Sequence, residues 1–370
     1  MMKRLGDYIR PVDVRNRDLK VERLLGISVT KEFIPSIANT IGTDMSSYKI
    51  VYPNQFVYIA DTSRRGDKIA IAYLKENEEP ALVSAIYTVF EVVDTNALDP
   101  EYLMMWFRRP EFDRYARFHS HGSAREVFDW EEMCEVQIPV PAIEKQREIV
   151  AEYNTLATRI ETNKKLIATL EQTAQTLYRH TFVDNIGPNN LPQGWRMGTV
   201  GEIAKVKVGG DKPDVFSEEK SEKCKIPIYS NGLENKGIYG YTDKATIFKK
   251  CVTVSARGTI GYCCLRDEPF VPIVRLLVVI PNDESMVDYL YRQLKDLNFE
   301  GSGSVQNQLT APHIENQEIL IPDSGLFKEY NEKLNPVMAL INSKEQENQT
   351  LTQMQTLLLS KMGGGIISFN

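Results

Sequence analysis

The side chains in this 370-residue chain with recognition chemistry to offer are cations and amides set in polar, glycine-containing turns. Arg64, Arg65 and Lys68 occupy the run Ser63-Arg64-Arg65-Gly66-Asp67-Lys68-Ile69. Between Arg108 and Arg125, five arginines stand against two acids and alternate with aromatics; Arg114, Arg117, His119, Ser123 and Arg125 are its candidate contacts. The later half offers Lys205, Lys207, Lys212, Asn231, Lys236, Ser255 and Arg257, then Ser304, Gln306, Asn307 and Gln308. Lys and Arg with Ser or Thr suit phosphate oxygens, the guanidinium fork suits a guanine edge, and amide side chains suit adenine. Taken singly, each of these residues could equally be a solvated surface charge. The recurrence of a basic turn in both halves points to nucleic acid.

Catalytic patterns are missing. Gly209-Gly210-Asp211-Lys212-Pro213 lacks the flanking glycines and the strand-to-helix setting of a phosphate cradle. No Gly-x-Ser-x-Gly elbow, His-x-x-Glu-His, carboxylate cluster ahead of a Lys, or Asn/Asp-Pro-Pro-aromatic run occurs. His119, His121, His180 and His313 make no metal-ligand spacing with Cys134, Cys224, Cys251, Cys263 and Cys264, and the odd cysteine count argues against a disulfide scaffold. No catalytic residue, metal ligand or cofactor-binding residue is therefore assigned. With a net charge of −6, any claim to bind nucleic acid rests on local patches.

The elements that must position these side chains alternate between globules and rods. Ile143 to Phe182 is forty residues without Pro or Gly. Its apolar residues step by fours and threes: Ile149, Tyr153, Leu156, Ile160, then Ile167, Leu170, Ala174 and Leu177, with Asn163 in the one polar seat. That rhythm predicts a helix with one narrow seam awaiting a partner helix, the Asn fixing register. At about 1.5 Å per residue the rod would be roughly 60 Å long. Phe327 to Met362 repeats the pattern through Tyr330, Leu334, Val337, Ile341, Lys344, Asn348, Leu351, Gln355 and Leu358. Two such helices most simply pair with each other.

The intervening blocks are β-rich copies of one another. Leu5-Gly6-Asp7-Tyr8-Ile9 matches Val200-Gly201-Glu202-Ile203-Ala204, and the turn Ser63 to Ile69 resembles Ser255 to Gly261. The predicted helix at Glu101-Tyr102-Leu103 matches Asp288-Tyr289-Leu290, Gly122-Ser123 mirrors Gly303-Ser304, and Val136 to Pro139 matches Ile319 to Pro322. Predicted strands include Ala81 to Val93, Cys251 to Ser255 and Arg275 to Ile280. The middles of the blocks do not match, as expected when two copies read two different targets. No apolar run of about 18 residues and no signal-peptide core appear, so a cytoplasmic protein without membrane contact is expected.

These landmarks resemble the specificity subunit of a Type I restriction-modification system, over nearly the whole chain. The resemblance is carried by the entry Leu191-Pro192-Gln193-Gly194-Trp195 followed by Val200-Gly201-Glu202-Ile203. It is carried also by the exit Ile138-Pro139-Val140-Pro141 with Glu144, Gln146 and Arg147 beyond it, and by the duplication. The second exit, Ile321-Pro322-Asp323-Ser324-Gly325-Leu326-Phe327-Lys328, departs from the pattern by lacking Glu-x-Gln. The implied fold is α+β: two target recognition domains, separated and followed by two long helices that pair as an antiparallel coiled coil. The boundaries read as residues 1–142 for the first reader, 143–183 for the spacer helix and 184–323 for the second reader, then 324–362 for the second helix and 363–370 for a flexible tail. The resemblance also implies a bipartite, asymmetric site on double-stranded DNA and a non-catalytic chain. Its partners would be two adenine methyltransferase subunits and restriction/translocase subunits, which would carry S-adenosylmethionine, ATP and magnesium. The alternatives are a coiled-coil adaptor that does not touch DNA, a fused modification-and-cutting enzyme, and the specificity component of a related phage-defence methylation system.

Overall fold

The computed structural model describes residues 2–36, 42–61, 68–122, 126–184, 186–187, 190–297 and 308–363. The chain divides into two compact units, Met1–Lys164 with Glu345–Asn370 and Lys165–Lys344. Each unit combines one β-rich block with a segment of each long helix.

In the first unit β1 (Ile9–Val12), β2 (Gln55–Tyr58), β3 (Ile71–Tyr73) and β4 (Thr88–Val92) form an antiparallel sheet in the order β1-β4-β2-β3. Side chains alternate across a strand, and both faces here are apolar. Ile9, Phe56, Tyr58, Ile71, Phe90 and Val92 face a core shared with α1 (Pro100–Phe107), whereas Val57, Ala72 and Val89 join Leu25, Ile27, Val51 and Val83 in a separate one. Double burial is why these strands read as unbroken apolar runs. The expected single strand Ala81 to Val93 is two strands, because a turn at Ser84–Tyr87 redirects the chain. Helix α1 starts where its sequence dictates: the Asp99 side chain accepts from Tyr102 N–H at 3.0 Å, and Pro100 needs no hydrogen bond at the first helical position.

The second unit repeats the frame. β5 (Ala204–Val208), β6 (Cys251–Val254), β7 (Cys263–Arg266) and β8 (Leu277–Pro281) lie in the order β5-β8-β6-β7, again antiparallel. Val252, Val254, Leu277 and Val279 face the core beneath α2 (Val287–Asp296), while Cys251 and Val278 face Tyr229, Ile247, Phe270 and Leu276. Entry and exit strands close each unit in the same way: Met2–Arg4 pairs with Gln137–Pro139, and Arg196–Thr199 with Glu318–Ile321. The buried Tyr102 hydroxyl donates to Pro139 O at 3.3 Å, and that of Tyr289 to Leu320 O. Pro139 therefore corresponds to Leu320, two residues from the match read off the sequence.

The long helices run Ile143–Phe182 and Leu326–Lys361. In the first unit they pass antiparallel, with Tyr153 in one core with Leu358, Leu359 and Met362 while Asn163 Nδ2 donates to Asn348 Oδ1 at 3.0 Å and Arg159 meets Glu347. In the second unit Ala174, Tyr178 and Phe182 share a core with Phe327, Tyr330 and Leu334. Of the seam positions, Tyr153, Asn163, Tyr330, Leu334 and Ile341 are buried; Ile149, Leu156, Ile160, Ile167, Leu170, Leu177, Val337, Leu351 and Leu358 are half-buried. At one end of each helix the residue after the expected one, Tyr178 or Leu359, takes the deeper seat. A straight helix drifts about 20° per heptad from a 3.5-residue rhythm, which accounts for the slip.

The first exit and the second are locked differently. Gln146, fully buried, accepts from Asp99 N–H at 2.9 Å and donates to Ala97 O and Pro141 O at 3.0 and 2.8 Å. In the second unit, where the Glu-x-Gln is missing, Phe327 stacks on Phe182 with centroids 5.6 Å apart. An aromatic contact stands in for the amide lock.

Candidate nucleic-acid interface

In the second unit four loops converge around Gly209–Lys212, Asn231–Gly237, Ala256–Gly258 and Ile273–Arg275. The first and last zip together, with Arg275 N–H donating to Gly209 O and Val274 N–H to Gly210 O at 3.1 and 2.9 Å. A side chain at Gly209 would sit 2.9 Å from the Pro272 carbonyl carbon, so glycine permits the approach. Asn231 joins the remaining loops: its Nδ2 donates to Val274 O at 2.7 Å and its Oδ1 accepts from Ala256 N–H at 2.7 Å. Both ends of the amide are thereby used on backbone, which makes Asn231 a positioning side chain. Ser255 is buried and leans on Asn231 O at 3.4 Å.

The exposed edge of these loops is cationic. Lys212, Lys236 and Arg257 are exposed there, while Lys205 and Lys207 are exposed along β5; Lys212 lies over the Phe216 ring at 4.2 Å, and Arg257 donates to Gln308 Oε1 at 3.0 Å. Arg275 was expected inside a strand. Instead, it and Val274 adopt φ of 61° and 52° in a tight turn ahead of β8, with Arg275 exposed. Its turn geometry, not its residue type, puts it in this group, which is why the strand reading missed it. Asp211 and Glu234 are the acids on the same edge.

In the first unit the Arg108–Arg125 strip is not a plain basic loop. Pro110–Phe118 is a helix that buries Phe112 and Ala116 and leaves Arg114 and Phe118 exposed. Arg114 reaches Glu111 at 3.3 Å, Arg117 pairs with Glu126, and His119 Nδ1 and His121 Nε2 face Glu132 at 3.1 and 3.6 Å. The arginines are thus partly neutralised by their neighbours, which weakens their pull on phosphate. Lys68 is exposed. Arg64, Arg65, Ser123, Arg125, Ser304, Gln306 and Asn307 lie outside the described residues. A groove of about 710 Å³ reaches the start of the strip at Arg108, with Arg23, Lys31 and Lys75 also in its lining. Lys31 is buried and held at φ 66°; burial pulls its ammonium below the ordinary range, against the pull of Asp113 at 2.6 Å.

Two buried thiols of the second unit are held protonated. Burial pushes the Cys251 and Cys263 thiols up to about 12, so neither is a thiolate at neutral pH. Among the described residues no cluster of His, Cys, Asp and Glu could hold a metal ion, and no helix is long and apolar enough to cross a membrane.

Residues 13–172 and 192–353 match the family model described as the type I restriction modification DNA specificity domain, once for each block. Two relatives from Mycoplasma pneumoniae carry the description of type I specificity subunits. One is 29% identical over 223 residues, 59% of this chain and 60% of its own length; the other is 38% identical over 139 residues, 37% and 42%. The chain thus spans less than two thirds of the length of either. The crystal structure of a type I restriction-modification S subunit from M. genitalium superposes with a TM-score of 0.58 at 14% identity, covering 98% of this chain and 95% of that one, a likeness of fold.

Proposed function

The chain belongs to the type I restriction-modification DNA specificity family, and we propose that it selects the DNA sequence for such a complex. Each unit reads one half of a bipartite, asymmetric site through loops at the edge of its sheet. The single observation that carries the reading is the duplicated frame, two four-stranded sheets of the same order bearing unlike loops. A reader of two different half-sites needs that combination.

The chain does no chemistry on DNA. Two methyltransferase subunits carry S-adenosylmethionine, restriction/translocase subunits carry ATP and magnesium, and the paired long helices dock partners and set the unread gap. The net charge of −6 supports this division, because most phosphate neutralisation must then come from the partners. The test is to purify the chain alone and with its neighbouring methyltransferase and titrate duplex DNA at fixed salt. The chain alone should bind weakly and without sequence preference, and the complex tightly and selectively. Equal, non-selective binding by both would leave a coiled-coil adaptor as the better reading.

A further inference from the structure

The loop Glu234–Gly237 in the second unit is held in a conformation that ordinary side chains avoid. Asn235, Lys236 and Gly237 have consecutive left-handed φ values of 48°, 58° and 84°. A second non-glycine pair, Val274 and Arg275, repeats this at 52° and 61°, and Val274 is β-branched, for which such a φ is a true outlier. Each such residue costs of order 1 kcal/mol or more and persists only where its surroundings over-determine it. The surroundings here do so. Ser230 N–H donates to Gly237 O at 2.8 Å, and a side chain at Gly237 would lie 2.7 Å from Ser230 O, which closes the loop on itself. Asn231 then ties it to Val274 O.

Beneath the loop lies a buried cation. Arg266 is 4% exposed and meets no carboxylate at ion-pair distance among the described residues. It lies 3.6 Å over the Tyr229 ring, donates to Thr253 Oγ1 at 3.0 Å, and points its Nη2 at Lys236 O at 2.5 Å. The Tyr229 hydroxyl is fixed in turn on Glu268 at 2.9 Å. A buried charge spent on the carbonyl of a strained surface turn is hard to account for by stability alone. It makes sense if the turn must hold one shape.

What that shape presents is Asn235 and Arg275. Both are exposed, and among the described residues neither side chain has a partner. We propose that Asn235 and Arg275 are the purine-reading residues of the second unit, the amide pairing with an adenine and the guanidinium with a guanine in the major groove, and that Arg266 positions them. The assignment rests on the DNA-reading role proposed above. A bidentate amide on adenine N6/N7 and a bidentate guanidinium on guanine O6/N7 are the pairings these groups make best.

The test is methylome sequencing of cells expressing the neighbouring methyltransferase with the unsubstituted chain, Asn235→Asp or Arg275→Lys. Asp tolerates the same φ but loses both amide donors, and Lys keeps the charge but loses the fork. Each variant should lower methylation at the original sites by about tenfold or more. The surviving motif should keep one half unchanged and be relaxed or altered at a purine of the other half. Arg266→Lys should relax that same half at more than one position. A variant motif identical to the original, or a change in the half set by the first unit, overturns the assignment while leaving the DNA-reading role intact. If the unsubstituted chain yields no bipartite motif, the role itself fails and the assignment with it. Asn235→Gly, natural at this φ, decides the matter should Asn235→Asp fail to assemble: it must relax the same position.

Discussion

Asp288 and Arg292 are both more than nine-tenths buried in the second unit, 2.7 Å apart, and Asp288 also takes the Tyr330 hydroxyl from the second long helix. Removing one partner of a buried pair leaves the other charge uncompensated, at a cost of about 3–5 kcal/mol. Asp288→Ala should therefore lower the urea midpoint by that equivalent without changing the denaturant slope; a loss under about 1 kcal/mol would contradict the burial described. Glu91 gives a pH prediction. Burial pushes its carboxyl up, but hydrogen bonds from Gln55 at 2.8 Å and from Arg10 outweigh that and hold it below its ordinary 4.5. A carboxyl depressed by folding stabilises fully above its unfolded value, and that contribution fades as pH falls through the folded one. Glu91→Gln should accordingly lose less stability than the unsubstituted chain between about pH 5 and pH 3 in paired denaturation curves. At this scale the sequence was least informative. Arg117 and Arg114 advertised free positive charge and His119 a free contact, and only the fold brings Glu126, Glu111 and Glu132 against them.

The helices were the most legible elements. Forty residues without Pro or Gly and a four-three apolar rhythm are local signals, and the observed first helix begins and ends at the same residues, Ile143 and Phe182. The polar seat at Asn163 was legible too, but its partner was not, because partner choice depends on the antiparallel register. That partner is Asn348. Asn163→Leu alone should strand the Asn348 amide at about 1–3 kcal/mol, whereas changing both to Leu should raise the melting temperature above that of the unsubstituted chain. Melting curves of the two variants separate the cases. A double variant less stable than either single one would contradict a seam position. Strand ends were harder to see. Arg275-Leu276 looked like the start of β8, yet Gly209 and Gly210 draw the chain into a left-handed turn there. Nothing local to Arg275 announces a glycine pair some sixty residues away.

The duplication was visible as scattered landmarks and became a statement about architecture only when both sheets proved to share one strand order. Entry and exit strands and core parities repeat because they build the frame. The loops do not, because they are free to vary over it. Which loops carry recognition could not be read from residue types alone, since each cation had a solvated explanation. The most direct test of the whole account is methylome sequencing of cells expressing this chain with and without its neighbouring methyltransferase, together with a chimera in which Trp195 to Pro322 comes from a relative. The account predicts N6-methyladenine in a bipartite, asymmetric motif only when both proteins are present, and a chimera that changes one half of that motif and keeps the other. An active methyltransferase with no such motif, or a chimera that alters both halves, would contradict it.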